Sequence, residues 1–341
     1  MYCEDKFVEI YKQSPTGIAF CPYRICPLGA HSDHNLGKVT GLAINKGIHI
    51  AYKPKQNGVI EGSLPIGGLS SSAAVTIAYL SALCAVNKIS LSPQEYISMA
   101  VKSENKYVGV SCGKLDQSCE VYSKKDHLLY LDTKDDSYEL IPTHPNMKPY
   151  KIGIFFSGIE RNLAGSKFNM RVDECRSAAY ALKAYAGMEY GKYEETFMRD
   201  VPREVYEQYK DRLPKNWAKR AEHWFTEYDR VIRGAEAWRK GDLDTYGKLS
   251  FESGKSSIYN WETGSPELKA LYEIMTTTDG IYGGRFSGAG FKGCCMALID
   301  PSYEEHIIEH ITTEYLKIFP ELKGKYSVHI CESADGINQQ K

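Results

Sequence analysis

The chain reads as an α+β protein of two domains, on three observations. Its 341 residues are enough for two ordinary cores. Strand-like and helix-like segments come in uneven groups, which argues against a doubly wound parallel sheet. A stretch with three prolines, Pro142 to Pro149, interrupts both patterns and marks a boundary, with domains expected at 1–147 and 148–341.

Composition narrows the class further. An apolar content of 43% with 25% charged residues is that of a soluble globular protein. The 42 basic and 43 acidic residues leave a net charge of −1, so no electrostatic footprint for nucleic acid or a membrane surface is present. The first residues, Met1-Tyr2-Cys3-Glu4-Asp5-Lys6, do not form a signal peptide, and no apolar run reaches membrane-spanning length. Ten scattered cysteines without a Cys-x-x-Cys pair predict reduced thiols, with Cys112, Cys119 and Cys175 as packing residues. A cytoplasmic enzyme is expected, a monomer or weak homodimer whose partner is a small molecule.

Short apolar runs with glycine and proline over residues 16–53 predict strands around a polar loop, and Ile48, Ile50 and Tyr52 alternate as on a half-buried strand. Residues 73–86 form an apolar helix. Ser92-Pro93-Gln94-Glu95 combines an N-cap serine, a proline at the first helical position and a glutamate closing a capping box, so a helix should run to about Val108. Leu128–Asp132 and Ser137–Ile141 predict a hairpin. Beyond the boundary, Tyr150–Phe156 reads as a strand and 170–187, 203–212, 217–239 and 242–253 as helices, with a further helix starting at Ser265-Pro266-Glu267. Strand Cys294–Ile299, helix 303–318 with a capping box from Ser302, and strand Tyr326–Cys331 close the chain.

Three clusters carry chemistry. The first runs from Pro22 to Asn35 and holds Arg24, Ala30, His31, Asp33 and His34. The second is Pro65-Ile66-Gly67-Gly68-Leu69-Ser70-Ser71-Ser72-Ala73. Its glycines precede a helix whose unpaired N–H groups and positive dipole end attract phosphate, and its serine hydroxyls can ligate Mg²⁺. No Gly-Lys-Ser/Thr follows, so it is not a Walker A loop, and the absence of Gly-x-Ser-x-Gly argues against a hydrolase. The third, Ser103 to Gln117, contains Glu104, Cys112-Gly113 and Asp116-Gln117. Phosphoryl transfer needs an anion cradle, a metal carboxylate, a base and a cation. Residues 67–73, Glu104, Asp116 and Arg24 offer one of each.

These clusters, with Gly288-Ala289-Gly290-Phe291, resemble the motifs of the GHMP small-molecule kinases, in particular the galactokinase branch. The likeness runs over nearly the whole chain, and the wording around Arg24 and Phe286 is similar to galacturonokinases of plant type. It implies a first domain like ribosomal protein S5 domain 2 and a ferredoxin-like second domain, with the site between them. It further implies ATP and Mg²⁺ as cofactors and transfer to the anomeric hydroxyl of a galactose-type sugar. In that frame Asp116 is the base with Arg24 beside it, while Ala30, His31, Asp33 and Phe168 meet the sugar. Pro65, Gly67, Gly68, Leu69, Ser70, Ser71, Ser72 and Ala73 cradle ATP with Gly288, Ala289 and Gly290, and Ser71 and Glu104 hold Mg²⁺.

Three departures bear on substrate and completeness. Galactokinases carry glutamate where this chain has Ala30, and a carboxylate there would repel a C6 carboxylate, so alanine favours galacturonate over galactose. Phe168 stands where a tyrosine is usual. The span between the first strands and the glycine-serine loop is shorter than in galactokinases, so that the family's helix in that region is either omitted from the sequence or lost from the protein.

Overall fold

The computed structural model describes residues 2–54, 71–159, 167–291 and 293–337. Helix α1 (Tyr2–Tyr11) precedes two long antiparallel strands, β1 (Gly17–Ile25) and β2 (Lys38–Tyr52). Helices α2 (Ser71–Asn87), α3 (Pro93–Ser103) and α4 (Leu115–Tyr122) follow, then the hairpin of β3 (His127–Asp132) and β4 (Tyr138–Pro142). The first sheet has the order β1-β2-β3-β4.

The second half begins with β5 (Lys151–Phe156) and continues through five helices: α5 (Phe168–Tyr185), α6 (Arg203–Tyr209), α7 (Lys215–Arg239), α8 (Leu243–Tyr259) and α9 (Pro266–Thr277). Then come β6 (Ile281–Phe286), β7 (Cys294–Ile299), α10 (Glu304–Ile318), β8 (Ser327–Cys331) and the short β9 (Ser333–Ala334). The second sheet is antiparallel in the order β6-β7-β5-β8.

Strand alternation places the cores. In β7, Cys294, Met296 and Leu298 face a cluster that also takes Trp238 of α7, Tyr246 of α8 and Leu42 and Ile44 of β2. Their neighbours Cys295, Ala297 and Ile299 face α9 and α10 on the other side. Helices α7 and α8 are therefore packed between the two sheets. The far face of the first sheet is covered by α2, α3 and α4 through residues such as Val39, Ala78 and Ile97.

The capping box at Ser92 forms as expected: its hydroxyl accepts from Glu95 N at 3.3 Å, and its own N–H donates to Glu95 at 2.7 Å. The one expected at Ser302 does not. Asp300 caps a short 3-10 turn by accepting from Ser302 N at 2.9 Å, and α10 starts one turn on without a side-chain cap. Strand β6 is not among the elements expected from the sequence, and it contains the consecutive glycines Gly283 and Gly284. Gly283 lies against Gly247 of α8 so closely that a Cβ on either would meet the other's backbone. The chain leaves the first sheet at Pro142 and enters the second at Lys151, and β9 returns to pair with β2 through Ala43 and Ile44. All ten cysteines are free thiols, and no described helix is long and apolar enough to cross a membrane.

Candidate active site

Asp116 lies in the first turn of α4, and its Oδ1 accepts from Arg24 Nε at 2.8 Å and Nη2 at 2.6 Å. Arg24 is near the end of β1, just past a shift in register between Pro22 and Tyr23, and is 2% exposed. A bulge of this kind re-aims the side chains that follow it. Burial alone would weaken the guanidinium's hold on its proton, but the Asp116 charge outweighs it and Arg24 stays cationic.

Asp33 faces the same space. Its Oδ2 accepts from Leu115 N at 3.1 Å, and Gly113 makes room for it, since a Cβ there would collide with the carboxyl group. Burial, then the nearby Asp116 charge, raises its pKa to about 6. His31 has a left-handed backbone (φ 63°) and stacks on Trp261 with ring centroids 5.0 Å apart. Burial, then the positive charge of Arg285, keeps this imidazole neutral, and its Nε2 has no partner among the described residues. The Phe168 ring lies 6.4 Å from it.

Glu104 ends α3 where the helix widens into a π turn, Glu104–Val108, an irregularity common at functional sites. Its Oε2 accepts from Gln117 Nε2 and from the Cys112 thiol, both at 3.1 Å, while its buried Oε1 has no partner among the described residues. Cys112 is therefore not the packing residue expected: it lines the cleft, and burial, then Glu104, pushes its thiol pKa up. Cys119 and Cys175 are buried as expected.

These side chains border an open cleft lined by residues from both halves of the chain. Its first wall carries Arg24, Ala30, His31, Asp33, Glu104 and Asp116. Ser72 from the first turn of α2 and Phe168 join them, and Phe286, Gly288 and Ala289 close the cleft from the end of β6. Two expected cradle residues do not line it. Ala73 is fully buried in the first turn of α2, and Gly290, at φ 72°, uses its carbonyl to accept from Gly264 N at 2.8 Å. Pro65, Gly67, Gly68, Leu69 and Ser70 lie outside the described residues, as does the side chain of Ser71. Cys26, Val108, Val110 and Leu115 also line the cleft and were not anticipated; they carry no polar pattern that would single them out.

Residues 34–124 match the GHMP kinases N terminal domain, 235–317 the GHMP kinases C terminal domain, and 5–54 the galactokinase galactose-binding signature. A galacturonokinase from Arabidopsis thaliana is 36% identical, with 93% of this chain and 92% of that protein covered. The chain belongs to the GHMP kinases, on the galactokinase branch.

Within that family, a galactokinase from Thermotoga maritima is 28% identical over 93% of this chain and 98% of its own length. Lactococcus lactis galactokinase, solved with galactose, superimposes with a TM-score of 0.82 at 22% identity, covering 98% of this chain and 97% of that one. Methanococcus jannaschii mevalonate kinase gives a TM-score of 0.60 at 15% identity, covering 94% and 98%. The GHMP fold thus accounts for both sheets and the helices between them. The alignment to the Arabidopsis protein runs over 393 positions, more than the 341 residues here, so that relative has residues with no counterpart in this GHMP kinase.

Proposed function

We propose that this GHMP kinase transfers the γ-phosphoryl group of ATP to the anomeric hydroxyl of galacturonate. The Arg24–Asp116 pair at the head of α4, open to a cleft bordered by both halves of the chain, is the observation that carries the reading. The sugar oxygen forms its bond to the γ-phosphorus as the bond from that phosphorus to the bridging oxygen breaks, and ADP leaves. Asp116 takes the hydroxyl proton, and Arg24 holds Asp116 in place and offsets charge on the transferring group.

The donor set fits magnesium. Glu104 keeps one carboxylate oxygen free, and the exposed Ser72 hydroxyl lies on the same cleft. A hard cation held by one or two protein oxygens plus phosphates is the usual Mg²⁺ arrangement. Bound there, the ion would neutralise phosphate charge. Ser71 remains in this proposal as the neighbouring hydroxyl, with residues 65–70 as the phosphate cradle.

Two features favour a uronate over a neutral sugar. Ala30 adds no carboxylate to the wall. The 36% identity to a galacturonokinase supports the same choice. ADP release with ATP and Mg²⁺ should be compared for galacturonate, galactose, glucuronate and no sugar. Turnover on galacturonate well above galactose is expected. Turnover on galactose alone would make the protein a galactokinase, and sugar binding without turnover would make it a sensor.

A further inference from the structure

Helix α7 holds the loop bearing Ala30 and His31 from behind, through residues that do not line the cleft. His223 Nε2 is 3.0 Å from the Ala30 carbonyl oxygen, Trp224 Nε1 donates to the Ser32 carbonyl at 3.3 Å, and Gly29 N donates to Glu227 Oε1 at 2.7 Å. His223 and Glu227 are four residues apart, so one face of α7 offers a donor and an acceptor one turn apart. We propose that His223 and Glu227 are positioning residues that set the sugar preference by fixing the Gly29–Ala30 segment against the cleft. The proposal rests on the reading of this cleft as a sugar pocket.

The ring orientation follows from its partners. A carbonyl oxygen only accepts, so Nε2 of His223 carries the hydrogen, and Nδ1 accepts from Ser256 Oγ at 2.9 Å. Burial lowers this histidine's pKa to about 4, so the tautomer persists at neutral pH. Glu227 is fully buried and every contact opposes its movement. Its Oε1 also accepts from Ser253 Oγ at 2.5 Å, its Oε2 accepts from Arg230 Nε at 2.8 Å, and Arg285 Nη1 lies 3.6 Å away. Gly29 has φ 99°, and a Cβ there would run into Val39, so the loop has little freedom to settle elsewhere. The Ala30 Cβ therefore stands where α7 puts it, and with it the space left for the substituent at C6. Arg285 extends the same network to the opposite wall, donating from Nε to the Phe286 carbonyl at 3.2 Å.

The test compares His223→Phe, which removes the donor at similar ring volume, with His223→Gln, which keeps an amide N–H. KM and kcat are measured for galacturonate, for galactose and for ATP. His223→Phe should raise the KM for the preferred sugar about tenfold and narrow the preference between the two sugars by a similar factor, the scale of one lost hydrogen bond. The KM for ATP should stay within about twofold, and His223→Gln should restore most of the preference. A folded His223→Phe with unchanged sugar KM and unchanged preference would overturn the proposal. If that variant does not fold, Trp224→Phe removes the neighbouring bond to Ser32 and is judged by the same measurements. If the wild-type chain turns over no sugar, the kinase reading fails separately. Calorimetric affinities for galacturonate and galactose, wild type against His223→Phe, then decide the positioning role.

Discussion

Ala30→Glu is the sharpest test of substrate choice. Ala30 is 6% exposed and lines the cleft, and its flanking backbone is tied down by His223 and Glu227. A glutamate there cannot retreat by moving the loop, so its carboxylate must enter the sugar space. Two unit charges about 5 Å apart at an effective dielectric constant of about 20 repel by roughly 3 kcal/mol. That is on the order of 10² in kcat/KM for galacturonate. Galactose carries a neutral hydroxyl at C6, and a charge-assisted hydrogen bond of about 1.5–3 kcal/mol should improve its kcat/KM by about tenfold or more. The assay is ADP release with each sugar at two salt concentrations, where screening should shrink only the galacturonate penalty. Equal losses on both sugars, or a galacturonate loss that salt does not touch, would refute the electrostatic argument.

Other perturbations read other parts of the site. Asp116→Asn should lower kcat by about 10²–10⁴ while a titration still shows sugar binding, because the base is lost and the shape kept. Asp33 has a carboxyl raised from 3.8 to about 6, by burial and then by Asp116, so the folded chain holds that proton more tightly than the unfolded one. The stability this contributes is fully present below the unfolded value and is lost as pH rises to about 6. Asp33→Asn should therefore raise the Tm more at about pH 7.5 than at about pH 5, and a shift of equal size at both would contradict the assignment. Gly283→Ala puts a methyl group into the backbone contact with Gly247 and should destabilise by about 1–3 kcal/mol in a denaturant melt.

What could be read from the chain alone follows the reach of each interaction. The start of α3 was legible because Ser92 and Glu95 settle it within one turn. At Ser302 the same local pattern misled, because Asp300 two residues earlier competes for the cap. Gly283 and Gly284 carry no local strand signal, and only the approach of α8 explains them as strand. Arg24 and Asp116 are 92 positions apart, so their pairing was accessible through family resemblance and not through spacing. The bonds from His223 to Ala30 and from Glu227 to Gly29 span 193 and 198 positions. Nothing local marks either residue. Cys112 was misjudged because a cysteine outside any Cys-x-x-Cys pair usually packs, and its carboxylate partner appears only when the π turn brings Glu104 to it.

The return of β9 to β2 has a consequence for how the protein is made. Ser333 and Ala334 pair with Ile44 and Ala43, Asp335 accepts from Lys125 N at 2.8 Å, and Gly336 N donates to the Ser123 carbonyl at 2.6 Å. During synthesis the ribosome delivers the first sheet, its covering helices and the whole second sheet before those residues emerge. Until then β2 presents unpaired backbone beside Ala43, and nascent chains on one messenger could join through it. The first sheet to be translated is thus the last to be finished, completed by a stretch of chain that arrives some 290 residues after the strand it covers.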